Sequence, residues 1–201
     1  MNGNWVIGIT GASGAIYGVR LCQVLLTQGQ DVHLIITEAG WRVLHDELDW
    51  NVSKRKETLE AHFGGLKGTY KFHPIADIGA SVASGSFRTR GMVVIPCSMG
   101  TLSGIARAAS DNLLERTADV MLKEGRTLIL VPRETPLHAI HLENMLTLSR
   151  MGVRMLPAMP AFYNRPSSID EMVDFLVGKV LDSMNIEHSL YRRWGENDEQ
   201  S

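Results

Sequence analysis

Arg133 and Glu134 are adjacent residues of opposite charge that follow the apolar run TLILVP and precede Pro136. An exposed ion pair there would contribute only about 0–1 kcal/mol, too little to explain the placement by stability. A site that binds an anion and also moves a proton needs this combination, because Arg is a permanent forked donor and Glu can act as acid or base. A capping carboxylate beside a solvated Arg is the alternative interpretation.

Two further segments combine small residues with hydroxyl groups and lead into predicted helices. They are Gly11-Ala12-Ser13-Gly14 and Ser98-Met99-Gly100-Thr101. Glycines let backbone N–H groups approach an anion, and the following helix presents its positive end, so a phosphate is the expected ligand. The first segment matches neither G-x-G-x-x-G nor the Walker sequence, and a tight strand-to-helix turn is its alternative. Two such loops together favour a phosphorylated cofactor.

Regular elements must position these residues. Short β-branched runs alternate with longer helical patterns, which is typical of a mostly parallel sheet covered on both faces. We therefore predict a doubly wound α/β fold, a Rossmann-like or flavodoxin-like three-layer sandwich. The predicted strands are residues 5–10, 31–37, 92–96, 127–131 and 153–156, with a weaker one at 70–73; the predicted helices are 15–27, 38–48, 54–63, 101–109, 113–123, 136–150 and 169–184.

Local signals predict how two of these helices begin. Thr135 can cap a helix whose first residue is Pro136. Ser168 and Glu171 fit a capping box, in which each side chain bonds to the backbone N–H of the other residue. Because ligands bind beyond the carboxyl ends of parallel strands, we expect Arg133 and both hydroxyl-bearing loops to meet at one edge of the sheet.

Composition excludes several classes of protein. The chain has 201 residues, 44% of them hydrophobic, and a formal charge of -2, which indicates a single globular domain, with a polar tail from about residue 194, and no preference for nucleic acid or membrane. Its apolar runs are far shorter than the roughly 20 residues that span a bilayer. The N-terminus has no visible secretory signal, so we expect a cytoplasmic location.

Some reactive residue types have simpler interpretations. Two cysteines cannot make a disulfide framework, and Cys97 ends an apolar strand, where a small packed side chain is more plausible than a nucleophile. His138 and His141 lie one helical turn apart without a clear third ligand, so we expect no metal site. Lys179 lies on the flank of an apolar helical stripe, where its stem could cover the core.

Several long motifs make the chain similar to a known family. It resembles the UbiX flavin prenyltransferases, which include proteins named as components of phenolic acid decarboxylases, in GITGASGAIYGVRL, SGSFRTRGMVVIPCSMGTLSGIA, NLLERTADVMLKEGRTLILVPRETPLHAIHLENML, MPAFYNRP and YRRWGE. The resemblance runs from about residue 6 to residue 196, and residues 49–80 are too divergent to place.

This resemblance implies a metal-independent transferase that joins a dimethylallyl group to N5 and C6 of reduced FMN. The donor would be dimethylallyl monophosphate or, in some members, the diphosphate. The product, prenylated FMN, would serve a UbiD-type decarboxylase. The family also implies a homo-oligomer built from trimers, with a dodecamer expected. Consistent with this chemistry, the chain has no DDxxD-like cluster to hold magnesium.

The resemblance implies roles for individual residues. Ser13, Glu47 and Glu134 would be catalytic, with Ser13 near the reacting flavin edge and Glu47 near the prenyl pocket. Either Glu134 or the released phosphate would be the base that removes the proton from C6. FMN would be held by Gly11, Ala12, Ser13, Thr37, Ser98, Met99, Gly100, Thr101 and Arg133. The donor would be bound, partly across subunits, by Arg116, Lys123, Arg133, Glu134, Tyr163, Lys179 and Trp194.

Two alternatives belong to other functional classes. An FMN-dependent cysteine decarboxylase would share the fold and the FMN site, but its family is expected to carry a P-x-M-N-type signature where this chain has PAMPAFYNRP. A non-catalytic FMN-binding subunit of an aromatic acid decarboxylase is the second alternative.

Overall fold

The computed structural model describes residues 3–193, in which strands and helices alternate. The strands are β1 (Asn4–Ile9), β2 (Asp31–Ile36), β3 (Tyr70–His73), β4 (Gly91–Cys97), β5 (Thr127–Pro132) and β6 (Arg154–Met155). The α-helices are α1 (Ala15–Thr27), α2 (Glu38–Leu48), α3 (Arg55–Phe63), α4 (Met99–Ala106), α5 (Leu113–Lys123), α6 (Ala139–Arg150) and α7 (Ile169–Ser183). Short 3-10 turns occupy Val52–Lys54 and Ser81–Ala83.

The strands form one sheet in the order β3-β2-β1-β4-β5-β6. Every pairing in it is parallel. The prediction of a doubly wound α/β fold is therefore confirmed. The strand order reverses between β1 and β4, and ligands of such sheets bind beyond the carboxyl ends of the strands at that point.

Helices cover both faces of the sheet. A Cβ atom at Gly8 would lie 2.9 Å from Leu114 of α5, and one at Gly18 of α1 would lie 2.8 Å from Ile9. Because neighbouring residues of a strand point to opposite faces, α5 and α1 pack on opposite sides of β1. The strands are accordingly apolar on both faces, and β4 is buried along its whole length.

The chain divides into two compact units. Met1–Ala158 contains the sheet with α1 to α6, and Met159–Ser201 contains α7. The core cluster of the first unit lies between α4, α5 and the central strands and includes Val6, Met92, Val94, Leu102, Leu114 and Leu130. That the two units make a single domain stays a prediction.

The prediction that Thr135 caps a helix beginning at Pro136 is wrong. Helix α6 begins three residues later, and its N-cap is His138, whose Nδ1 accepts a hydrogen bond from the N–H of His141 at 3.4 Å. The imidazole ring supplies the acceptor that Ser, Thr, Asp or Asn supplies in most N-caps. A prediction based on those four residue types therefore places the start of this helix too early in the chain.

Other element boundaries differ by smaller amounts. Helix α4 begins at Met99 because the Ser98 side chain caps it, and the last strand has only two residues. Only one of the two hydrogen bonds of the predicted capping box of α7 forms. The Ser168 hydroxyl accepts from the N–H of Glu171 at 3.2 Å, whereas the Glu171 carboxylate accepts from the N–H and hydroxyl of Ser167. The return bond is thus displaced by one residue.

A histidine pair joins the edge strand β3 to its neighbour β2. His33 Nδ1 lies 2.8 Å from His73 Nε2, and the two rings stack. His73 is only 3% exposed. Burial, with the nearby charges of His33 and Lys71, lowers the pKa of His73 to about 4. Burial also lowers the pKa of His33.

The wild-type fold should therefore lose stability as the pH falls from about 6.5 towards 4. Between these pH values the imidazole of His73 is protonated in the unfolded chain but stays neutral in the folded protein. Protonation therefore favours the unfolded state and lowers the free energy of unfolding by about 1–3 kcal/mol. The variant His73→Gln should show a shallower pH dependence in urea denaturation at pH 7 and pH 4.5. An unchanged pH dependence in that variant would contradict this account.

Candidate active site

Thr10 links the loops that follow β1 and β4. Its N–H and its hydroxyl both donate to the carbonyl of Pro96, at 3.3 and 2.8 Å, and its Oγ1 accepts from the N–H of Ser98 at 2.7 Å. The residue is fully buried. Sequence reasoning missed this role, although a hydroxyl residue at the end of an apolar strand was a visible signal. The two hydroxyl-bearing loops are thereby held side by side, as predicted.

Glu47 of α2 occupies the N-terminus of α1. Its carboxylate accepts from the N–H of Gly14 at 2.9 Å and from that of Ala15 at 3.1 Å. Gly14 has a φ of 96°, a conformation that favours glycine, and makes no side-chain cap. The positive end of α1 thus holds a carboxylate of the protein itself, which the sequence pattern did not indicate, with the exposed Ser13 next to it.

Glu47 also affects a neighbouring phenol. Burial and the charge of Glu47 raise the pKa of Tyr17, so its hydroxyl stays protonated at neutral pH. The ring covers Gly14, since a Cβ atom there would lie 2.8 Å from Tyr17 Cε2. Glu47 and Tyr17 therefore enclose the backbone at the start of α1.

Thr37 and Gly11 fix the start of α2 beside the first loop. The Thr37 hydroxyl caps α2 by accepting from the N–H of Gly40 at 2.9 Å, and the Thr37 N–H donates to Ile9 at 3.0 Å. A Cβ atom at Gly11 would lie 2.5 Å from Ala39 Cβ, so no other residue fits there without a shift. Gly11 therefore permits the close approach of α2.

The second loop presents backbone and hydroxyl groups to the same edge. Ser98 Oγ accepts from the N–H of Thr101 at 3.3 Å and donates to its hydroxyl at 3.1 Å. A Cβ atom at Gly100 would meet nothing within 4 Å, so space lies beside this turn. The side chain of Met99 packs in the core cluster instead, so only its backbone faces the site.

Arg133 is held at the same edge and has an unsatisfied donor. Its N–H donates to the carbonyl of Cys97 at 3.3 Å, which ties the start of the loop after β5 to the last residue of β4. Its side-chain Nε is buried and has no hydrogen-bond partner among residues 3–193. Such a buried donor costs about 1–3 kcal/mol unless an acceptor arrives, so this guanidinium is suited to a ligand.

Glu134 is exposed and does not pair with Arg133. Its Oε1 accepts from the N–H of Thr135 at 3.0 Å, and the described part of the chain has no ion pair between the two side chains. Arg133 and Glu134 therefore do not form a salt bridge. The alternative of a capping Glu134 beside a solvated Arg133 does not fit either, because Arg133 Nε is buried. One residue offers a buried donor and the next offers an accessible carboxylate.

One copy of the chain does not gather all predicted donor ligands. Helix α5 begins near the carboxyl end of β1, where its Leu114 meets Gly8, and ends four residues before β5 starts. Arg116 is exposed in its first half, whereas Lys123 lies at its far end, near the amino ends of the strands, 3.6 Å from the Glu124 carboxylate. A seven-residue separation spans about 10 Å along a helix. Lys123 is thus remote from the loops that follow β1, β4 and β5 in its own chain.

The second unit carries two further predicted ligands. Tyr163 packs edge-on against Phe175, with ring centroids 5.7 Å apart, and is 52% exposed. Lys179 is also half-exposed, and its Nζ lies 3.9 Å from an Asp182 carboxylate oxygen. Both can present a polar group to a ligand. Trp194 lies outside the described residues.

The structure supports the simpler interpretation of Cys97 and reveals no metal cluster in the region it describes. Cys97 is buried, and burial raises the pKa of its thiol, which disfavours the nucleophilic thiolate. Between residues 3 and 193, no group of three or more His, Cys, Asp or Glu side chains could hold a metal ion. None of the helices in the same range is long and apolar enough to cross a membrane.

Comparison with known proteins adds to this geometry. Residues 1–181 match the model of the flavoprotein family. The chain is 59% identical over 194 residues to a flavin prenyltransferase UbiX of Halalkalibacterium halodurans, covering 96% of this chain and 94% of the relative. The crystal structure of AnUbiX (PadA1) in complex with FMN and dimethylallyl pyrophosphate is 40% identical, with a TM-score of 0.88 and coverages of 96% and 98%.

Two other solved structures concern assembly and fold. A dodecameric FMN-dependent UbiX-like decarboxylase from Escherichia coli O157:H7 is 46% identical, with a TM-score of 0.85 and coverages of 95% and 98%. The FMN-dependent cysteine decarboxylase TvaF is 15% identical, with a TM-score of 0.56, over 77% of this chain and 90% of that one. At that identity the second likeness concerns the fold alone.

Removing the Thr10 hydroxyl should destabilise the protein. In Thr10→Val the N–H of Ser98 loses its acceptor inside the protein, so the free energy of unfolding should fall by about 1–3 kcal/mol. Thr10→Ser keeps the hydroxyl and is the matched control, with a smaller loss. Equilibrium denaturation of the three proteins measures the difference, and equal stability of the Val and Ser variants would refute the role of this bridge.

Proposed function

The chain belongs to the flavoprotein family and, within it, to the flavin prenyltransferases of the UbiX type, and we propose that it joins the dimethylallyl group of dimethylallyl monophosphate to N5 and C6 of reduced FMN. The observation that carries the proposal is the buried Nε of Arg133, which has no hydrogen-bond partner among the described residues and lies at the sheet edge that also carries the two hydroxyl-bearing loops. A flavin or phosphate oxygen would supply the acceptor that the protein lacks.

The residues at the sheet edge fit FMN. Gly11, Ala12 and Ser13 would hold it from the first loop, Ser98 to Thr101 from the second, with Thr37 and Arg133 on either side. The space beside Gly100 lets a ligand approach the backbone there. When bound, reduced FMN supplies the two nucleophilic positions of the reaction.

The donor's phosphate needs fixed cations and donors. As its C–O bond breaks, negative charge grows on the phosphate, and Arg116, Lys123, Arg133, Tyr163 and Lys179 would stabilise that charge. Because Lys123 lies far from its own sheet edge, we propose that a neighbouring copy provides it. Trp194 would be an aromatic surface for the prenyl group, which develops positive charge.

The acidic residues would complete the chemistry. Glu47 is held by the N–H groups of Gly14 and Ala15, so its carboxylate stays beside Ser13 with a fixed direction. Negative charge there would stabilise the cationic prenyl group. Glu134 is exposed and unpaired with Arg133, so it would be available to accept the proton that leaves C6 as the second bond forms. In that step C6 would bond to one carbon of the prenyl double bond, and the other carbon of that double bond would take up a proton.

A single assay tests the proposed reaction. The purified protein is mixed with reduced FMN and dimethylallyl monophosphate without oxygen, and the flavin is analysed by mass spectrometry. We expect a product heavier than FMN by one C5 unit. Unmodified FMN as the sole product would favour the alternative of a non-catalytic FMN-binding subunit. A parallel reaction with the diphosphate identifies the preferred donor.

The variant Glu134→Gln should bind FMN normally yet stall ring closure. The amide keeps the size of the side chain but cannot accept the C6 proton, so the step that follows N5 attack should slow at least roughly 100-fold. Stopped-flow absorbance of the flavin and mass spectrometry of quenched samples measure this. Glu57→Gln, which changes an exposed carboxylate on α3, is the control. Wild-type product formation by Glu134→Gln would exclude Glu134 as the base.

We also propose a homo-oligomer that uses α6 as a contact surface. This helix has one buried residue, Leu148, while Ile140, Leu142 and Leu146 are each more than half exposed. Large exposed apolar side chains on one helix are typical of an interface. The dodecameric relative favours a second copy of the chain as the occupant.

Charges introduced on α6 should break this assembly. Ile140→Glu with Leu146→Glu should give smaller particles in analytical ultracentrifugation and lower prenyl transfer, because Lys123 of a neighbour would be lost. Ala61→Glu adds a charge at an exposed position of α3, away from the proposed surface, and should leave the assembly unchanged. A wild-type particle size in the double variant would show that α6 is not the contact surface between subunits.

The product would pass to a UbiD-type decarboxylase, and the reaction would take place in the cytoplasm. These two proposals rest on the family resemblance. Reconstituting an apo-decarboxylase of that type with the reaction product tests the first. Fractionating the source cells tests the second.

A further inference from the structure

In the second unit, the segment that follows α7 folds back onto the helix. Gly178 and Asp182 lie four residues apart and therefore on the same face of α7. A Cβ atom at Gly178 would lie 2.5 Å from two ring atoms of Tyr191 and 2.7 Å from His188 Cε1. The two rings thus rest on bare helix backbone, and no larger residue could replace Gly178 without moving them.

Asp182 is the polar centre of this contact. Its carboxylate accepts from the Tyr191 hydroxyl and from Arg193 Nη2, the latter at 2.7 Å, and lies 3.1 Å from His188 Nε2. Burial alone would raise the pKa of Asp182, but the bonds from Arg193 and Tyr191 outweigh it and lower that pKa. Burial and the bond to Asp182 raise the pKa of Tyr191 to about 12. At neutral pH a carboxylate therefore accepts from a neutral phenol.

Asp182 and Tyr191 are each close to one of the predicted donor ligands in this unit: Asp182 contacts Lys179 itself, and Tyr191 contacts a residue that packs against Tyr163. Lys179 Nζ lies 3.9 Å from Asp182 Oδ2. The Tyr191 ring lies 5.0 Å from the Phe175 ring, and Phe175 packs edge-on against Tyr163 at 5.7 Å. Asp182 and Tyr191 are bonded to each other, so one hydrogen bond connects the surroundings of Lys179 with those of Tyr163.

We propose that Asp182 and Tyr191 are positioning residues for the donor phosphate, which act by holding Lys179 and Tyr163 in place for it. The inference rests on the proposed function, because it takes Lys179 and Tyr163 as phosphate ligands. It goes beyond that function in naming two residues that touch neither FMN nor the phosphate.

The geometry suits a holding contact that is easily exchanged. The Lys179–Asp182 pair is long and half-exposed, so it is weak. Asp182 is also bonded to Arg193, and its charge is therefore shared. A doubly charged phosphate competes well for Lys179 under these conditions. The lysine is kept near its working position and still released to the ligand.

Kinetics of two variants tests the proposal. In Asp182→Asn and in Tyr191→Phe, the KM for dimethylallyl monophosphate should rise roughly three- to tenfold, while the dissociation constant of FMN, which binds to the first unit, stays unchanged. Tyr191→Phe keeps the ring on Gly178 and removes only the hydroxyl bond, so it tests the connection when Asp182→Asn folds poorly. Asp170→Asn, an exposed carboxylate in the first turn of α7, is the matched control with wild-type kinetics.

A double-mutant cycle separates positioning from general stability. If Asp182 acts through Lys179, Asp182→Asn should add less than about twofold to the KM in a Lys179→Ala background. Equal increases in both backgrounds, or a wild-type KM in both single variants, would overturn the inference while leaving the proposed function intact. A wild-type enzyme that makes no C5 adduct would overturn the proposed function and this inference with it.

Discussion

The hydroxyl group of Thr10 is the constraint on which the candidate site depends. It donates to the carbonyl of Pro96 near the end of β4 and accepts from the N–H of Ser98, the N-cap residue of α4, so this buried hydroxyl acts as donor and acceptor at the same time. The bridge stands where the strand order of the sheet reverses, and a crevice opens at that place in doubly wound folds. The spacing of the two loops is therefore fixed before any ligand arrives.

The groups around this bridge divide into two kinds. Thr37 and Ser98 bond to the first turns of the helices that they precede, and Gly11 lets α2 approach the first loop. These residues hold the shape of the edge. Arg133 is different, because its Nε is buried without a partner in the described chain. Stability alone would not retain such a donor, so the cost is consistent with binding at this position.

The sequence was sufficient for the fold because strands buried on both faces leave an unmistakable pattern of apolar runs between helices. It was also sufficient to bring the loops after β1, β4 and β5 together, since parallel strands end at one edge. It failed where an unusual residue type does a common task, as His138 does in capping α6. It could not reveal contacts between residues far apart in the chain, such as Thr10 with Ser98 or Glu47 with Gly14.

The carboxylate of Glu47 at the start of α1 has a consequence for selectivity among anions. Helix N-termini attract inorganic phosphate and sulfate. Here that position is already occupied by the carboxylate of Glu47, which is part of the protein and so is always present next to these N–H groups. Free phosphate and sulfate ions therefore compete with a tethered carboxylate for the N–H groups at the start of α1, which disfavours the binding of simple oxyanions there.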